Sequence, residues 1–254
     1  MFNQIKADSY RQLHTRGSYI ILALTVLLSV LITAFESTGG IMINADTMQE
    51  FEGSRWSVMT GLKSATLSST MLLYIDIALF VIVIGQEFSK KTYKNTLISG
   101  ISRIGFILGK FVTMLLDILF LTLIFYGVVI LTSLLAGRDG GASLMSLVRT
   151  LGLMTVTIGF FISVIFSIGV IVLVLANSVV TATICMALWP ILIAILSNFT
   201  SWRWLRYINF TGVAQQITLG TLKIDALWPY IGVSFGVLIL TIVGSALIIQ
   251  RKEL

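Results

Sequence analysis

Residues 104–136 read IGFILGKFVTMLLDILFLTLIFYGVVILTSLLA. Only Lys110 and Asp117 are charged in that run, and a helix crosses a bilayer with about 20 apolar residues. The stretch therefore reads as a membrane span, long enough that it must tilt or project. Five further runs outward from it read the same way, at about 18–35, 67–85, 151–176, 179–197 and 229–249. Composition agrees: 57% of the 254 residues are hydrophobic and 11% charged, where a soluble domain carries about 25% charged. Mean hydropathy is +0.99. A soluble globular domain is excluded, and so is disorder, which needs an apolar-poor chain. The expected fold is an all-α membrane protein with six transmembrane helices, one transmembrane domain over 1–254.

Orientation follows from Lys and Arg. With the N-terminus inside, ten basic residues fall inside (Lys6, Arg11, Arg16, Lys90, Lys91, Lys94, Arg103, Lys110, Arg251, Lys252) and seven outside. Three acids lie inside, and six lie outside: Glu36, Asp46, Glu50, Glu52, Asp139 and Asp225. The surplus of +6 is then that of a cytoplasmic face, and no nucleic-acid partner is expected. Both termini should be cytoplasmic in a multi-pass protein of a bacterial cell membrane. The first span lacks a small-residue cleavage site and is not expected to be a signal peptide. Residues 1–17 carry Phe2, Ile5, Tyr10 and Leu13 on one broad face among cations, which suits a helix in the headgroup layer. A plain polar leader is the other reading.

Glu36–Thr66 reads as a polar outer loop. The outer segment at about 198–228 sets Trp202, Trp204 and Tyr207 among Arg203 and Arg206, a composition of membrane interfaces. It is expected to dip into the outer leaflet as short helices backed by protein. Small residues recur at Gly159, Ser163 and Ser167, and at Gly232, Gly236 and Gly244. Such rows let helices approach closely, within the bundle or at a dimer seam. Pro190 should kink the fifth span, and Pro229 suits the first turn of the sixth.

Single residues limit the chemistry. Cys185 is the one cysteine and His14 the one histidine, so an intrachain disulfide, a His-cluster metal site and Ser-His hydrolysis are excluded. GFILGKF at 105–111 only resembles a phosphate-binding loop: three residues separate its glycines and Phe111 stands where Ser or Thr is required. No ATP site, cofactor or metal is expected in this chain. Asp76 and Asp117 lie near mid-span, and Lys110 precedes Asp117 by two turns on a similar face. Intramembrane ionisable groups are costly and need a partner or water. These three could be a helix-positioning pair, the polar lining of a translocation path or, least in keeping with their flanks, an aspartyl protease dyad.

The loop after the second span, residues 86–105, reads QEFSKKTYKNTLISGISRIG. Phe88, Thr92 or Tyr93, and Leu97 or Ile98 recur about one turn apart, with Lys90, Lys91 and Lys94 over much of the rest. That is a short amphipathic helix, about 90–99, with Gly100 as its stop, suited to docking a soluble partner; an ordinary basic loop is the plainer reading.

Glu87-Phe88, Thr92, Asn95 to Leu97, Ser99 to Ser102 and Lys110 together resemble the loop of ABC-2 type permeases, the membrane subunits of ATP-binding-cassette exporters. Lys91 stands where a Gly usually precedes the Thr. The six-span plan is similar along the whole chain. The resemblance implies that Glu87, Lys91, Thr92, Lys94 and Leu97 couple to an ATPase, as two subunit copies holding the ATP and Mg. It implies a second permease copy or sibling, and Asp76, Asp117 and Lys110 as candidates for the translocation path. Trp202, Trp204, Arg203 and Arg206 would form the outer interfacial site. The small size resembles lantibiotic-immunity and phenol-soluble-modulin exporters, implying an amphipathic or antimicrobial peptide cargo. Another hydrophobic cargo (drug, lipid or polysaccharide) and a non-transport scaffold are the alternatives.

Overall fold

The computed structural model describes residues 2–36, 56–222 and 226–251. Asp46, Glu50, Glu52, Arg55, Lys223, Asp225, Lys252 and Glu253, which entered the charge count, lie outside the described residues. Among the described residues, six helices are long and apolar enough to cross a membrane. They are α2 (Arg16–Ala34), α4 (Ser69–Ser89), α6 (Arg103–Leu135), α7 (Leu144–Ala176), α8 (Val179–Phe199) and α11 (Leu227–Arg251). Around them sit α1 (Phe2–Leu13), α3 (Val58–Leu67), α5 (Tyr93–Ile98), α9 (Leu205–Ile208) and α10 (Phe210–Leu219).

Helix α7 is the hub. It is the most buried of the six and packs against α6, α8, α10 and α11. Its row of small residues explains the close approach: a Cβ on Gly159 would lie 2.6 Å from Leu119 Cδ2, and one on Gly244 of α11 would lie 3.1 Å from Ile171. Gly232 and Gly236 have open space instead. The hydroxyls of Ser163 and Ser167 donate to carbonyls of their own helix. Helix α2 repeats the device, with Thr25, Ser29 and Thr33 each bonding the carbonyl four residues back along its buried face. Polar side chains thus sit inside the bundle at little cost, while Leu116, Phe120, Leu131, Val156, Ile239 and Leu240 are exposed on faces left to lipid.

Two elements differ from the sequence expectation. The fourth span begins at Leu144 rather than near 151, capped by Ser143 accepting from Ser146 N–H. The end of the expected outer loop, residues 58–67, is a buried helix, α3. Ser57 caps it by accepting from Thr60 N–H, and Val58, Leu62 and Ala65 are fully buried. Thr66 Oγ1 sits 3.0 Å from the Tyr126 hydroxyl of α6, and Gln215 of α10 donates to the Leu67 carbonyl at 3.1 Å. Its polar composition hid it: those hydroxyls find partners within the protein. Helix α8 runs through Pro190, and Pro229 falls in the first turn of α11.

Candidate functional site

The candidate site lies at the end of the bundle where α1, the last turns of α4, α5 and the first turns of α6 meet. Helix α1 is amphipathic in an inverted sense. Gln4, Asp8 and Gln12, spaced four apart, are buried, while Tyr10 and Leu13 of the apolar stripe are exposed. The polar face is turned to the protein and the apolar face outward, as a helix at a bilayer boundary requires. Gln4 donates to the Phe106 carbonyl, Asp8 pairs with Lys110, and Gln12 donates to Asp117. Both sets of numbers rise together, so α1 runs alongside α6 in the same direction.

The centre is a four-member charge cluster. Lys110 Nζ donates to Asp8 Oδ1 at 2.7 Å and to Glu87 Oε1 at 2.6 Å. Arg11 Nη1 donates to the same Glu87 oxygen at 2.7 Å, and its Nη2 lies 3.5 Å from Asp8 Oδ1. The charges sum to zero. Lys110 is 1% exposed, so its charge is tenable only because both carboxylates meet it. Burial holds the Asp8 carboxyl above its ordinary range, with Lys110 acting in the opposite direction.

Helix α4 is built to receive this cluster. Over Val81–Gly85 it widens into a π turn, which takes carbonyls out of the regular ladder. Arg11 Nη2 donates to the Ile82 and Val83 carbonyls at 3.2 and 2.7 Å, and Lys110 reaches Val83 O at 3.3 Å. Glu87 therefore lies on the last turn of the second span, facing inward.

Beyond Ser89 the chain turns through Lys90–Thr92. Lys91 sits at φ +56°, a left-handed conformation that Gly adopts without strain and Lys does not. The short helix α5 follows. Phe88 and Tyr93 stack with centroids 4.4 Å apart, and Leu97 is buried beside them. Lys90, Lys91, Thr92 and Asn95 are exposed, Lys94 is half-buried, and Ile98 is 70% exposed. Of Leu97 and Ile98, it is Ile98 that presents apolar surface outward. A groove of about 770 Å³ lies between Phe88, Lys91, Tyr93 and Lys94 on one side and Asn177–Val180 on the other.

A family model described as ABC-2 family transporter protein matches residues 14–192, well over half of the chain. The chain belongs to that family. A search of curated proteins finds no match. It is thus the membrane component of an ABC-2 transporter, a multi-pass permease whose family works with an ABC ATPase and holds no ATPase site of its own.

The remaining permease residues separate into places. Lys110 joins Asp8 and Glu87 rather than Asp117. Asp117 accepts from Gln12 at 2.9 Å. Asp76 is fully buried, and neither of its oxygens has a hydrogen-bond partner among the described residues. At the opposite end, Trp202 and Trp204 stack at 5.8 Å and are exposed with Arg203 and Arg206. Arg206 donates to the Tyr207 hydroxyl and lies 4.7 Å from that ring. Helix α10 of that segment is buried against α7 through Phe210, Val213 and Ala214. Sequence reasoning missed Arg11 as a partner of Glu87, and Asp8 as the second carboxylate on Lys110. The signal was there: Gln4, Asp8, Arg11 and Gln12 form a polar stripe at helical spacing.

Proposed function

We propose that this permease exports an amphipathic peptide, driven by an ATPase that docks on α5 and the adjoining groove. The end holding α1, α5 and the α7–α8 turn is then cytoplasmic, in a bacterial cell membrane. Two ATPase copies engage two permease chains, identical or sibling. The observation that carries this reading is the seating of α5. Its outer face offers Ile98, the turn before it offers Lys90 and Lys91, and its inner face rests on Phe88 directly beyond Glu87. A displacement of α5 is passed through Phe88 to α4, and through Glu87 to Lys110 of α6 and Arg11 of α1. Three elements are thereby moved together, which suits a bundle that rocks between inward and outward forms. ATP drives such a change only through differential affinity for the two forms.

What supports the cargo is composition. The outer aromatic and Arg segment and the polar groups of α4 and α6 suit a molecule with both apolar and charged faces. The test pairs two substitutions. Ile98→Asp should leave expression and thermal unfolding unchanged and cut ATPase co-purification about tenfold or more, as for a contact worth ~1.4 kcal/mol. Leu97→Asp should instead lower the amount of folded permease, because it buries a charge. Undiminished ATPase recovery and peptide-stimulated hydrolysis with Ile98→Asp would refute docking on α5.

A further inference from the structure

A crevice of about 240 Å³ lies between α1, α2, α4 and α6. Its polar groups are Ser9, Gln12, Ser18 and Asp117. Leu79 and Phe120 are among its apolar walls. Gln12, more than nine-tenths buried, holds Asp117 Oδ2 through its amide N–H. Ser18 Oγ is buried with no hydrogen-bond partner among the described residues. Leu13, Tyr19 and Phe120 are each more than half exposed, so the rim of the crevice is apolar and opens sideways toward lipid.

The charge balance is the informative feature. Among the described residues no Lys or Arg lies within ion-pair distance of Asp117. The nearby cations, Arg11 and Lys110, are engaged by Asp8 and Glu87. The crevice thus offers a carboxylate in apolar walls with no cation of its own. Buried charges are stable when paired, and such sites bind ligands through a few placed polar groups in an apolar lining.

We infer that this crevice binds the ammonium head of a single-chain cationic amphiphile, with the Asp117 carboxylate as its counter-ion. The tail leaves past Phe120 and Tyr19 into the bilayer. Ser18 supplies a hydroxyl to the head, and Gln12 holds the carboxylate in place. A phospholipid head fits poorly, because its phosphate would meet the Asp117 carboxylate and no cation. The volume is below the roughly 300 Å³ at which drug-sized pockets begin, so the crevice takes a head group and the first carbons of a tail. This ligand is distinct from the peptide cargo of the export reading, and the inference rests on that reading only for the side of the membrane.

The full-length permease in lipid nanodiscs, without ATPase, is photolabelled with a diazirine-bearing dodecyltrimethylammonium, and labelled peptides are mapped. Saturable labelling is expected on α2 and α6 around Ser18 and Phe120. Unlabelled dodecyltrimethylammonium should compete, and a dodecyl chain with an anionic head should not. Asp117→Asn, which keeps a partner for Gln12, should reduce saturable labelling about tenfold or more. Ser18→Leu, which fills the crevice and spares the carboxylate, should reduce it as well. Thermal unfolding and ATPase recovery with Asp117→Asn are expected to match the wild type, which separates this outcome from a failure of docking. Unchanged labelling in both variants, or equal competition by the anionic chain, would overturn the site.

Discussion

Replacing Lys110 by Met removes the cation at the centre of the charge cluster while keeping an unbranched side chain of similar length. Three bonds go: those to Asp8 at 2.7 Å, to Glu87 at 2.6 Å and to the Val83 carbonyl at 3.3 Å. Two are charge-assisted, at roughly 1.5–3 kcal/mol each. Removing one partner of a buried ion pair costs about 3–5 kcal/mol, because the other charge stays behind. The two figures agree, and at a few degrees per kcal/mol they correspond to a fall of roughly 10 °C in Tm. Arg11 remains near both carboxylates, but it is 35% exposed and compensates only in part. The double variant Lys110→Met with Glu87→Gln removes one charge of each sign and should recover much of the loss. The sign of the pH dependence follows from Asp8. Burial holds its carboxyl above the usual range, and Lys110 pulls it down. An acid raised on folding contributes stability that is complete below its unfolded value, about pH 4, and is lost as pH rises through the folded value. Without Lys110 that value rises further, so the deficit of the single variant should be larger at about pH 7.5 than at about pH 5. Thermal unfolding of purified permease at both pH values measures this. A Tm equal to wild type at the higher pH, or a double variant no better than the single one, would refute the cluster as the link between α1, α4 and α6.

Lys91→Gly should raise stability by about 1 kcal/mol, since a left-handed non-Gly residue costs roughly 1–2 kcal/mol and Gly returns part of that in unfolded-state entropy; thermal unfolding checks it. Gly159→Val should destabilise by about 1–3 kcal/mol, because its Cβ would lie 2.6 Å from Leu119, whereas Gly236→Ala should leave the Tm unchanged. Asp76→Leu should be neutral or stabilising in unfolding assays, because the carboxyl has no hydrogen-bond partner among the described residues and removing it leaves none unpaired; a lower Tm would show that it has a partner.

The spans were legible because the bilayer demands long apolar helices, and composition alone reports that demand. A short two-faced helix within 86–105 was legible for the same kind of reason: three Lys alternate with a spaced set of Phe, Tyr, Leu and Ile, and α5 forms there. Helix α3 was not legible. Its Thr and Ser residues read as a polar loop, and only the groups facing them, such as the Tyr126 hydroxyl, make their burial tenable. Leu97 and Ile98 were indistinguishable in sequence, since adjacent residues at the end of a short helix can each claim the inner face.

Periodicity and composition, then, pick out the six helices long and apolar enough to cross a membrane. They could not say which charges meet. Lys110 and Asp117 share a helix and a rough face, yet one closes on Asp8 and Glu87 and the other on Gln12. That choice depends on how α1 lies along α6 and on where α4 opens its π turn. Both are consequences of packing among segments far apart in the chain, where a buried charge takes whichever partner the assembled helices bring within hydrogen-bonding reach.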